Sequence, residues 1–118
     1  MRGIYILTIS ISKNIAIKVG SLGKVSFEKG TYVYVGSAQN NLEKRIERHL
    51  GKAKKRFWHI DYLLHRRFVK VDSVFYKIAD KSEECEIARN FSKNECAPIE
   101  GFGCSDCDCG SHLFMLAD

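Results

Sequence analysis

Tyr5, Tyr34, Arg45, His49 and Glu84 are the side chains whose types and order suit chemistry on a phosphate. Each tyrosine belongs to a short patch with a glycine, Gly3-Ile4-Tyr5 and Tyr34-Val35-Gly36. A strand glycine lets another group come close to the backbone, while the phenol oxygen supplies a hydrogen bond at that place. Arg45 brings a permanent positive charge and His49 a group able to take or give a proton near neutrality. A basic helix behind two such strands is a place to hold a phosphate, with Gly3 and Gly36 as its supports.

Helical phase makes the assignment sharper. Leu42, Ile46 and Leu50 or Ala53 form the expected buried stripe of one helix, and Arg45 and His49 flank it. On a later helix Glu84 shares a face with Ile87, Ala88 and Phe91, whereas Glu86 points with Asn90 and Lys93 toward solvent. A carboxylate facing a sheet needs a partner, because an unpaired buried charge is costly. That partner is Arg45, as a simple ion pair, or a metal ion. An ordinary phenol has pKa ≈ 10, so a phenolate at pH 7 costs ~4 kcal/mol. Tyr5 therefore serves as a base only if a nearby positive charge lowers its pKa, and otherwise as an orienting hydrogen bond.

Charge points the same way. The chain has 118 residues and a net charge of +5, with a pI near 9.0. Lys44, Arg48, Lys52, Lys54, Lys55 and Arg56 crowd into one stretch with Phe57, Trp58 and Tyr62 nearby. Basic residues interleaved with aromatics suit a nucleic-acid backbone better than a membrane surface, and a solvated pair of helix faces is the alternative. No apolar run approaches the ~18 residues a membrane helix needs. The opening residues read as a strand rather than a leader, so a cytoplasmic protein is expected.

The cysteines cluster late. Cys104, Cys107, Cys109 and His112 have ligand types suited to tetrahedral zinc, at unusually tight spacing. Reduced thiols, or one disulfide through Cys85, are the preferred alternatives.

These residues need a frame. Residues 3–11 alternate and are rich in isoleucine, which predicts a strand. Ile15 to Val19 and Lys24 to Phe27 predict an enlarged β-hairpin at about 12–30, and Thr31 to Val35 the strand after it. Gly36 to Asn41 read as the loop into a helix over Leu42 to Lys52. A second helix is expected from Phe57 to Arg67, a strand from Val69 to Ile78, and a third helix from an N-capping Ser82 to Lys93. A Cys-rich segment at 101–113 precedes a last strand, Leu113 to Leu116. The expected fold is α+β: one domain over 1–118, a small antiparallel or mixed sheet flanked by about three helices.

The chain resembles the GIY-YIG nuclease superfamily, the cutting module of certain homing endonucleases, restriction enzymes and excision-repair nucleases. The two patches match its name, with valine for isoleucine in the second, and Arg45, His49 and Glu84 followed by Ile87 match its helical positions. Tyr34-Val35-Gly36-Ser37-Ala38, Arg48-His49-Leu50 and Trp58-His59-Ile60-Asp61-Tyr62-Leu63 are similar to a stand-alone branch associated with endonuclease III-like repair proteins. The resemblance implies metal-dependent hydrolysis of DNA, with Mg²⁺ or Mn²⁺ on Glu84, Arg45 on the scissile phosphate, Tyr5 activating water, Tyr34 orienting water or phosphate, and His49 or His59 assisting proton transfer. It also implies DNA as partner, a repair protein as a further one, and no membrane. The competing expectations are a nucleic-acid-binding module without turnover and a zinc-binding interaction domain.

Overall fold

The computed structural model describes residues 3–38, 42–50, 59–80, 82–93, 97–99, 102 and 111–116. Four strands come first: β1 (Gly3–Ile11), β2 (Ile15–Lys18), β3 (Lys24–Phe27) and β4 (Gly30–Ala38). Helices α1 (Leu42–Leu50) and α2 (His59–Leu64) follow, then strand β5 (Val69–Lys77) and helix α3 (Ser82–Lys93). Two short strands, β6 (Ala97–Pro98) and β7 (Leu113–Met115), complete the described elements.

Strand β1 organises the rest. Tyr5, Leu7, Ile9 and Ile11 are buried on one face, the period of two that a strand imposes. It pairs antiparallel with β4 on one side, from Gly3 opposite Ala38 to Ile11 opposite Gly30. On the other side it pairs antiparallel with β5, with a bulge between Thr8 and Ile9. Strand β7 runs antiparallel beside β4 and β6 beside β7, so the order is β5-β1-β4-β7-β6. Pro98 falls in the terminal strand of this sheet, where a missing N–H costs the ladder little.

The sheet separates two apolar layers. The larger joins the Tyr5 face of β1 and Tyr32 and Tyr34 of β4 to Leu42 of α1, Ile60, Leu63 and Leu64 of α2, and Ile17 and Phe27. The smaller lies on the opposite face, where Val33 and Phe114 meet Ala88 of α3. Among the described residues strands β2 and β3 pair with each other alone, as a separate two-stranded sheet whose inward side chains close the main core. The fold is thus α+β, one domain whose described residues form an antiparallel main sheet and three α-helices, and no described helix is long and apolar enough to cross a membrane.

Three expectations need correction. Gly36, Ser37 and Ala38 continue β4 rather than forming a loop. Their pairing with Tyr5, Ile4 and Gly3 outweighs glycine's poor strand preference. Leu50 is 57 % exposed, and His49 takes the buried place instead. The inner stripe of α1 is Leu42, Arg45, Ile46 and His49, the spacing of residues i, i+3, i+4 and i+7. Helix α2 ends at Leu64 rather than Arg67, with Asp61 buried beside Ile60 and Leu63 and Tyr62 partly buried against the same core.

Candidate active site

The two glycine–tyrosine patches lie side by side because β1 and β4 are antiparallel neighbours, with Tyr5 opposite Gly36. That register explains Gly36. A Cβ there would fall on the Tyr5 ring, so the glycine makes room for the phenol of the other patch. Gly3 does the same at the strand end, where a Cβ would strike the Lys77 carbonyl oxygen and stand 3.0 Å from Leu42 Cδ2.

Above this surface sits His49 of α1, with Nε2 2.7 Å from the Tyr5 hydroxyl oxygen. The Tyr34 ring lies 6.4 Å from both the Tyr5 and His49 rings, centre to centre, and its far side meets Phe102. All three polar rings are buried, Tyr5 to 2 %, His49 to 3 % and Tyr34 to 7 % exposure. Burial pushes the Tyr5 phenol up to about 12, although the charge of Arg45 and a hydrogen bond from it pull the other way. Burial likewise raises Tyr34 well above the usual phenol, with the adjoining Tyr5 and Glu84 adding to it. His49 is pushed down to about 4, burial leading, with Asp61 opposing and Arg45 and Arg48 assisting. At pH 7 the three groups are therefore neutral.

The charged residues stand on the two sides of β4. Ser37 is opposite Ile4, so its side chain lies on the face away from Tyr5, toward α3. Its hydroxyl donates to Glu84 Oε1 at 2.9 Å, and its carbonyl accepts from Arg45 Nη1 at 3.0 Å. One serine thus connects the arginine of α1 to the glutamate of α3. The second oxygen of Glu84, Oε2, lies 3.2 Å from Nδ1 of His112. The same nitrogen is 3.1 Å from the Val35 carbonyl oxygen. Glu84 keeps 14 % of its side chain exposed, and Arg45 is half-buried, so these two are the members of the group that solvent reaches.

Arg48 does not join an outer basic face. Its Nη2 lies 3.0 Å from Oδ2 of Asp61, whose side chain is 2 % exposed, and the pair ties α1 to α2. Lys44 is exposed on α1. Lys52, Lys54, Lys55 and Arg56 lie outside the described residues, as do Cys104, Cys107, Cys109 and the side chain of His59, which opens α2. Cys85 is disulfide-bonded, so its sulfur has no thiolate to give a metal.

A family model described as Domain of unknown function DUF123 matches residues 4–118. The chain belongs to that family. No curated protein and no solved structure matches it.

For this DUF123 member the donor set bears on which metal fits. Among the described residues no three His, Cys, Asp or Glu side chains gather as metal ligands. A lone carboxylate still suits Mg²⁺, which keeps several waters and takes the rest of its oxygens from substrate phosphate. Among the described residues each oxygen of Glu84 has one polar partner, and a carboxylate oxygen has capacity for another.

Sequence reasoning passed over Ser37, Asp61 and the pairing of His112 with Glu84. The side Ser37 faces follows from strand alternation only once β4 is seen to run through it to Ala38, which the local pattern did not show. His112 carried no local signal. Its place depends on β7 lying beside β4, where the Val35 N–H donates to the His112 carbonyl at 2.9 Å.

Proposed function

We propose that this DUF123 protein is a GIY-YIG-type endonuclease that hydrolyses DNA phosphodiester bonds with Mg²⁺ or Mn²⁺. What supports it above all is the bridge through Ser37, which sets a permanent cation and a partly exposed carboxylate on one strand end. A scissile phosphate needs positive charge on its oxygens, and a divalent ion needs a hard oxygen donor.

In this mechanism Arg45 stabilises the charge that builds on the phosphate oxygens, and Glu84 holds the divalent ion. The ion, when bound, supplies Lewis acidity and acidifies water. Tyr5 works with its proton on. A phenol at about 12 would need about 7 kcal/mol to become phenolate at pH 7. Its oxygen instead accepts from Arg45 and shares a short hydrogen bond with His49 Nε2, which aims the guanidinium. His49, neutral, is the partner that keeps the phenol in one rotamer. Tyr34 closes the wall behind them. The setting is DNA repair or processing in the cytoplasm, with a repair protein as a further partner.

The deciding experiment is cleavage of plasmid and branched DNA by pure protein with Mg²⁺ or EDTA, beside Arg45→Ala and Glu84→Ala. Metal-dependent nicking that both variants abolish is expected. Salt-sensitive DNA binding without cleavage, unchanged by Glu84→Ala, would replace the nuclease with a binding module.

A further inference from the structure

His112 is the most buried charge-capable group that the mechanism above leaves idle. Its side chain is 2 % exposed, and its Nδ1 stands beside a carboxylate. It lies in the residues leading into β7, one position before Leu113, and continues the ladder with β4. Val35 faces α3, so a residue opposite it does too. That geometry brings the imidazole to Glu84.

The proton on the ring can be assigned from its neighbours. Nδ1 is 3.1 Å from the Val35 carbonyl oxygen, which only accepts. Nδ1 therefore carries hydrogen, and it presents the same N–H to Glu84 Oε2 at 3.2 Å. With Ser37 donating to Oε1, both carboxylate oxygens are held from opposite ends. The carbonyl of Val35 fixes the ring, the ring fixes the carboxylate, and the plane of Glu84 is set in advance of any ligand.

We infer that His112 is a positioning residue that orients the Glu84 carboxylate for its divalent cation. The inference rests on Glu84 being the metal-holding group of the proposed nuclease. A carboxylate free to rotate loses orientation when it binds an ion, and one already held by two donors loses less. Partners of this kind in metal sites commonly contribute 10–100-fold in affinity.

The test uses Mn²⁺ alone with the intact chain, free ion being counted by electron paramagnetic resonance. The Mn²⁺ concentration that half-saturates plasmid nicking is a second readout. His112→Leu removes the donor and is expected to weaken Mn²⁺ binding about tenfold or more. His112→Asn carries an amide nitrogen near the place of Nδ1 and is expected to stay within about threefold of wild type. His112→Gln, whose amide nitrogen falls near Nε2 instead, is expected to behave like the leucine variant. The asparagine–glutamine contrast holds even if the leucine variant folds poorly, since both amides are polar and similar in size.

Unchanged Mn²⁺ affinity in His112→Leu, or equal losses in the asparagine and glutamine variants, overturns the inference and leaves the nuclease standing if Glu84→Ala still abolishes binding and nicking. Wild-type Mn²⁺ binding that Glu84→Ala does not weaken overturns the metal role of Glu84, and the role of His112 with it.

Discussion

Two buried neutral rings, Tyr5 and His49, share one short hydrogen bond, and their neutrality has consequences that single substitutions expose. An unfolded imidazole titrates near 6.5, the folded one at about 4. Between those values the unfolded chain binds more protons, so His49 makes stability rise with pH across that window. Its contribution is fully present above about 6.5 and is lost as pH falls toward 4. The stability difference between wild type and His49→Gln should shrink by on the order of 3 kcal/mol from pH 7 to pH 4. Urea unfolding at both pH values measures it, and parallel curves would exclude the effect. Tyr5→Phe separates an orienting phenol from a base. Nicking should fall about 10–100-fold with an unshifted pH profile, because no phenolate is formed. A displaced acidic limb would make Tyr5 the base after all. Gly36→Ala drives a methyl into the Tyr5 ring. It should destabilise the fold by about 1–3 kcal/mol, read as a lower urea midpoint.

At the level of elements, β4 is the part that makes a site out of separate helices. Its inward side carries Tyr34 and Gly36 toward α1, and its other side carries Ser37 toward α3. A strand does this because successive side chains alternate, so one segment serves two layers. Helices α1 and α2 are joined by Arg48 and Asp61. Arg48→Ala leaves the nearly fully buried Asp61 without that guanidinium. The expected loss is about 2 kcal/mol, below the full cost of breaking a buried pair because Arg48 is 25 % exposed. Thermal unfolding of Arg48→Ala checks it, and an unchanged Tm would show that the pair carries no net stability.

Across the whole molecule, a net charge of +5 favours an anionic partner, and the proposed DNA binding should weaken steeply with salt. Lys44 is exposed on α1, on the helix that carries Arg45. If its ammonium meets a DNA phosphate, Lys44→Ala should lower the slope of log K against log salt by about 0.9. Fluorescence anisotropy on a non-cleaved duplex in EDTA gives that slope. An unaltered slope would take Lys44 out of the DNA contact.

Much of the frame was legible because local pattern decides it. The alternation of β1 and the run from Ser82 to Lys93 in α3 appear at the expected bounds, and helical phase turned Glu84, Ile87 and Ala88 inward. Local pattern could not decide which of His49 and Leu50 is buried. On hydropathy Leu50 should win, yet the Tyr5 hydroxyl on the neighbouring sheet gives His49 a partner that leucine cannot use. Nor could it show Gly36 to Ala38 as strand, since their ladder partners stand more than thirty positions earlier. The sequence by itself determined the residue types and the periodicities of strand and helix. Only the tertiary structure decided which groups meet: Tyr5 with His49, Ser37 with Arg45 and Glu84, and His112 with Glu84. The reason is physical. Periodicity depends on neighbours a few positions apart, whereas these contacts depend on strand register between segments distant along the chain.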